Sequence, residues 1–242
     1  VLTPTPLSLP IHTNSPSFSP RDIHDKVFSP CAGDFRSCLN AVDINKTLSS
    51  YQAPPSIAIA DAFDFYNFRT NIISPQHFRR SINIALDTHF ALLIPAHIRS
   101  HWCLLVAIRA STTVALYDSC ASAQILRDLS RLLSTIGFSA AQNIPTFRQQ
   151  AHTFECGLFV LLHVHLFCSY FSQSDRVIAS LADLPSFPHE YVSLANWRTP
   201  LSRGTPLATL LQPPIGGATT DSQTDACLAA HSRFAARAAS ML

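Results

Sequence analysis

The run from Cys156 to Phe171 most constrains what this chain can become. It is almost wholly apolar, and only His163 and His165 interrupt it strongly. It is shorter than the roughly 18 to 20 residues that cross a bilayer, so it predicts a helix buried in the core of a folded domain. A helix apolar on every side must be covered on every side. The remainder of the chain therefore has to supply the layers that pack against it.

The chain has 242 residues, of which 47% are hydrophobic, enough for one medium domain with a sizeable core. Charged residues are only 13% and the net charge is +2. Arg79-Arg80 is the one adjacent basic pair, so there is no electrostatic footprint for nucleic acid, and no membrane partner is expected either. Residues 1–21, rich in Pro and Ser, read as a linker. Residues 22–198 read as the packed domain and 199–242 as a low-complexity, flexible tail. The start lacks both an initiator Met and a signal-peptide pattern, which suggests a piece of something longer. Seven cysteines without repeating spacing argue for reduced thiols in an intracellular compartment, nucleus or cytoplasm.

Phe90 to Ile94, closed by Pro95, predicts a buried strand, and His101 to Arg109 a second. Ala110-Ser111 connects to a third, Thr112 to Tyr117. Ile125, Leu129, Leu132, Leu133 and Ile136 fall at helical spacing before Gly137, a plausible stop. Ile57 to Phe68 has the spacing of a helix with an aromatic face. The sum is an α+β domain: a small, mainly antiparallel or mixed sheet flanked by helices.

Chemistry concentrates at three places. Cys156, followed by Gly157, sits where the apolar helix starts, and backbone N–H groups at a helix N-terminus favour a thiolate. A single cysteine is more often a small buried apolar residue. His101 and Asp118 fall at the start of one strand and the end of the next, which lie side by side on antiparallel neighbours. A carboxylate there fixes the tautomer of the imidazole and favours the imidazolium. Nucleophile, base and orienting acid together are what thiol catalysis requires.

His101-Trp102, Tyr117-Asp118-Ser119 and Gln149-Gln150-x5-Cys156-Gly157 resemble the SUMO-protease family of adenain-like cysteine peptidases. His101 lies 17 residues before Asp118 and Gln150 six before Cys156, both family intervals. Ile94-Pro95-Ala-His97 resembles the family's Ile-Pro-Val-His. The resemblance covers about residues 57 to 170. It implies the adenain-like fold, with Cys156 as nucleophile, His101 as general base and then acid, and Asp118 as orienter of His101. Gln150 would be an oxyanion donor beside the Cys156 backbone N–H. Trp102 would line a narrow channel for a Gly-Gly tail, or simply pack in the core, and Gly157 would leave room for the substrate carbonyl. The implied substrate is a ubiquitin-like, SUMO-like modifier or a polyprotein site. No cofactor or metal is implied, and a monomer is expected.

The chain also departs from the family pattern. His152 stands where members have Asn, Glu155 where they have Asp, and Arg148 where Pro is frequent. The family's Trp-Leu-Asn-Asp-x-x-Ile-x-Phe-Tyr element is only loosely echoed by Ile57 to Tyr66. Two other readings use the same residues: an acetyltransferase with this Cys/His/Asp set, and an inactive module that binds a ubiquitin-like protein. Ile215-Gly216-Gly217-Ala218 resembles a self-processing site. His163-x-His165-x2-Cys168 reads as a core helix with satisfied histidines, since i and i+2 point to different sides of a helix. Cys103 and Cys120 are expected to pack.

Overall fold

Strand His101–Ile108, buried along its whole length, is the central strand of the main sheet. The computed structural model describes residues 39–192 apart from 50, 52, 110, 150–154, 173–179 and 188–190. The boundaries at 21/22 and 198/199, Gln150, His152, Trp197 and Gly216-Gly217 all lie outside the described residues. Five helices are present there: α1 (Ala41–Ser49), α2 (Ala62–Arg69), α3 (Pro75–Thr88), α4 (Ala123–Ser134) and α5 (Cys156–Ser172). The strands are β1 (Ile57–Ile59), β2 (Ala91–Ile98), β3 (His101–Ile108), β4 (Thr113–Tyr117), β5 (Ala140–Asn143), β6 (Arg148–Gln149) and β7 (Tyr191–Val192). The first five form one sheet in chain order, and β6 and β7 a small parallel pair. β2, β3 and β4 are antiparallel, while β1 and β5 join the edges in parallel. The fold is α+β with a mixed sheet, as the sequence implied.

The period-2 alternation of β3 sorts its side chains between two cores. Trp102, Leu104, Val106 and Ile108 pack with Leu158, Leu161, Leu162 and Phe167 of α5. Cys103, Leu105 and Ala107 pack on the other side, with Phe65 and Phe68 of α2, Phe78 and Ile82 of α3, and Ile125 and Leu129 of α4. The sheet is thus covered on both faces, and α5 is buried nearly all round as its composition required. Among the described residues no helix is long and apolar enough to cross a membrane.

Caps explain where the helices begin. Ser74 accepts from His77 N–H with Pro75 at the first position of α3, and Ser122 accepts from Ile125 N–H at the start of α4. Gly137, at φ 83°, lies just past α4 in the left-handed region where glycine costs least.

Two expectations change, and one turn was not foreseen. Ile57 to Phe68 is not one helix: Ile57–Ile59 pairs with Ala91–Leu93, and Asp61 then caps α2 by accepting from Phe63 N–H. Pro95 does not close its strand, because β2 runs on to Ile98. Leu93 turns its carbonyl to Ala60 on the β1 side, so Pro95, two residues on, faces the same edge after β1 has ended. No ladder hydrogen bond is lost there. Finally, β2 and β3 form a tight hairpin through Arg99 and Ser100, both at positive φ (49° and 57°). That is the primed turn that suits strand twist, made here without glycine.

Candidate active site

That hairpin delivers His101 to the end of the sheet. Leu104 pairs with Tyr117, so extending the register sets Asp118 opposite Cys103. His101, two residues along on the same face, becomes the diagonal neighbour of Asp118. The contact is made: His101 Nε2 donates to Asp118 Oδ1 at 2.7 Å. Both residues are buried, His101 at 8% exposure and Asp118 at 1%.

Asp118 also organises the turn after β4. Its Oδ1 accepts from the Cys120 backbone N–H at 2.9 Å and its Oδ2 from that of Ser122 at 2.8 Å. Ala121 between them takes a positive φ of 45°. Burial alone would raise the Asp118 pKa; His101 and the two backbone donors outweigh it and hold the carboxyl below its ordinary value. Burial likewise pushes His101 down, but hydrogen bonds with Asp118 and Cys120, and their charges, bring it up to about 9. The imidazolium is the favoured form at neutral pH. At the other ring nitrogen stands Cys120, with Sγ 3.7 Å from His101 Nδ1.

Ser119 ties this turn to the strand before the helix. Its hydroxyl donates to Gln149 Oε1 at 3.0 Å, and its carbonyl accepts from Gln149 N–H at 3.2 Å. Gln149 immediately precedes Gln150, so the Asp118-Ser119 turn fixes the backbone leading to the expected oxyanion donor.

Cys156 is the first residue of α5 and is 3% exposed. It shares one packed cluster with Trp102, the neighbour of His101. Trp102, at 2% exposure, donates its indole N–H to the Leu39 carbonyl at 2.9 Å, with the His97 ring 4.8 Å from its own. Burial, with the charges of Arg69 and His101, lowers His97 to about 4, so it packs there as a neutral ring. A Cβ on Gly157 would meet Leu39 Cβ at 2.9 Å, so the space its missing side chain leaves is filled by Leu39.

The structure therefore joins His101 to Asp118, sets Gly157 and Trp102 against Leu39, and places Cys156 in the same packed cluster. Two functional features escaped the sequence reading. Cys120 is exposed and addressed to His101 rather than packed. Its position two residues past Asp118, in a turn that the carboxylate folds back, was the available signal. The segment that meets Trp102 and Gly157 is Leu39-Asn40 with α1, not the Ile57–Tyr66 stretch. Asn40 caps α1 by accepting from Asp43 N–H at 2.8 Å.

Residues 76–194 match the model of the Ulp1 protease family, C-terminal catalytic domain. The matched region belongs to that family. It is a cysteine peptidase. Among solved structures, the Xanthomonas campestris effector protein XopD, solved bound to ubiquitin, is 18% identical over 76% of this chain and 99% of that one, with a TM-score of 0.50. At that identity the likeness is one of fold. The catalytic domain of the Chaetomium thermophilum Ulp1-like SUMO protease is 22% identical over 53% of this chain and 61% of that one, with a TM-score of 0.35. No curated protein sequence matches the chain. The family assignment agrees with the motifs that led to it: His101-Trp102, Asp118-Ser119 and Cys156-Gly157 all fall inside the matched region.

Proposed function

We propose that this Ulp1-family domain releases a ubiquitin-like modifier, SUMO-like in its small-residue tail, by cleaving the bond that follows that tail. The observation that carries this reading is the buried His101–Asp118 hydrogen bond at 2.7 Å at the sheet end, in a family of cysteine peptidases whose motif continues to Cys156. Cys156 passes its proton to His101 before the substrate arrives, and the thiolate Sγ then attacks the carbonyl after a small residue. The imidazolium so formed is stabilised by Asp118, which keeps Nε2–H directed at its carboxylate and leaves Nδ1 for the transfer. His101 then protonates the leaving amine, and a thioester remains on Cys156. Water activated by the same imidazole hydrolyses it.

Gln150 and the Cys156 backbone N–H hold the oxyanion, a donor of this kind being worth about 3 to 4 kcal/mol. Ser119 holds Gln149, the residue before Gln150 in the sequence. Trp102 and Gly157, both set against Leu39, act on the substrate through it.

A panel of ubiquitin-like proteins ending in a thiol-reactive vinyl sulfone tests the reading. One member of the panel should form a covalent adduct mapped to Cys156 by peptide mass spectrometry, and Cys156→Ala should abolish both adduct and turnover while keeping the fold. An adduct elsewhere in the chain, or turnover retained by Cys156→Ala, would refute the assignment.

A further inference from the structure

Cys120 and His101 hang on one carboxylate. Asp118 Oδ1 accepts from His101 Nε2 at 2.7 Å and from the Cys120 backbone N–H at 2.9 Å. Ser122 N–H, on Oδ2 at 2.8 Å, closes the turn that presents the thiol. The result is a sulfur 3.7 Å from a ring nitrogen, with both held from behind by the same anchor. Cys120 is exposed, whereas Cys103, Cys156 and Cys168 are buried.

That separation has a chemical meaning. A tetrahedral zinc ion binds a thiolate at about 2.3 Å and an imidazole nitrogen at about 2.0 Å, which sets the two ligand atoms about 3.5 Å apart. Metal-binding histidines also hold their second ring N–H on a carboxylate, which fixes the tautomer and makes the free nitrogen a better donor. His101 already does so through Nε2. Both Asp118 oxygens are taken by His101, Cys120 and Ser122, so Asp118 serves as the anchor behind the imidazole and not as a ligand. His101, Asp118 and Cys120 are a group of potential donors lying within 4.8 Å of one another.

We propose that Cys120 Sγ and His101 Nδ1 bind a soft divalent cation, zinc above all, with water in the remaining positions. The thiol and the imidazolium Nδ1 each release a proton to solvent as the two metal bonds form, and no oxidant or reductant is required. Thiolate and imidazole together favour zinc over magnesium or calcium, which prefer oxygen ligands. The cation takes the ring nitrogen that the peptidase reaction needs, so it silences the enzyme reversibly. Binding stands on the Cys120–His101 geometry alone; its inhibitory consequence rests on the proposed role of His101.

Cadmium, which gives an ultraviolet thiolate-to-metal absorption, separates the two levels. The full chain carrying Cys156→Ala should develop that band on titration, and adding Cys120→Ser should remove the saturable component. Asp118→Asn in the same background should keep the band but weaken binding about ten- to a hundredfold. Zinc should displace the cadmium. A titration unchanged by Cys120→Ser, or one without a thiolate band in Cys156→Ala, overturns the site. In the active protein, Cys120→Ser should relieve zinc inhibition; equal inhibition of parent and variant, with the cadmium result intact, would overturn only the inhibitory consequence.

Discussion

His101 and His163 are both buried, at 8% and 1% exposure, yet the domain treats them in opposite ways. His163 lies in the middle of α5, where Nε2 shares a hydrogen bond with Thr146 Oγ1 and the ring stacks on Phe187 at 5.6 Å. Burial lowers its pKa to about 3, against a weak opposing pull from Asp118. His101 suffers the same desolvation and rises to about 9, because its partners are a carboxylate and a thiol at hydrogen-bond distance. A hydroxyl satisfies a neutral imidazole; a carboxylate pays for the cation. Burial alone keeps a histidine neutral, and a paired acid at the sheet end keeps one charged.

The largest effect should come from removing that acid. Asp118→Asn keeps the shape but loses the charge and can hold the imidazole in the wrong tautomer, so kcat/KM should fall on the order of 10⁴-fold. The alkaline limb of the pH–rate profile, expected near the His101 value of about 9, should move to lower pH. Stability should follow. His101 is protonated in both states below its unfolded value of about 6.5, so the stabilisation from its raised pKa is complete there and is lost as pH rises through about 9. Chemical denaturation of the parent across that window should show the loss, and the variant should lack it. A variant within tenfold of the parent in turnover, with an unmoved limb, would erase the distinction between the two histidines.

Much of this was legible in the sequence, for reasons that also mark the limit. The strong period-2 and all-apolar runs gave β3, β4 and α5, and Ile125, Leu129 and Leu133 gave the buried stripe of α4, because periodicity reports burial directly. The pairing of His101 with Asp118 followed from strand ends and register. What stayed hidden depends on where chain segments return. β5 has only one buried residue, Ala141, and becomes a strand by pairing with β4. The Arg99-Ser100 turn lacks the glycine or asparagine that usually announces it. Cys120 looked like packing because one carboxylate's hold on the turn cannot be read from spacing. Leu39 was overlooked because its contacts with Trp102 and Gly157 span most of the domain in sequence.

An intermediate effect should appear on the structural side of the comparison. Below about pH 6.5 the unfolded chain protonates His163 while the folded protein resists down to about 3. Stability is therefore lost as pH falls through that window, by roughly 5 kcal/mol from this group. Replacing both partners by apolar groups, His163→Leu with Thr146→Val, removes a polar pair together and should be nearly neutral at pH 7. Acid unfolding monitored by circular dichroism should then shift to lower pH. An unchanged acid midpoint would mean that His163 contributes no charging penalty, and that its neutrality is not what sets it apart from His101.

The smallest effect, and the sharpest discriminator, is the single change Thr146→Val. It leaves the imidazole in place and takes away the hydroxyl that satisfies Nε2. A buried polar group left without its partner costs about 1 to 3 kcal/mol, so this variant should be less stable at pH 7 than the double replacement. Because Thr146 serves the neutral histidine and not the charged one, turnover per folded molecule and the His101-linked alkaline limb should stay where they are in the parent. Urea unfolding measured beside a pH–rate profile checks both at once. A stability loss with an intact profile keeps the two histidines energetically separate; a displaced profile would mean that the core pair reaches through Tyr117, whose ring lies 5.6 Å from that of His163, to the strand end that carries Asp118.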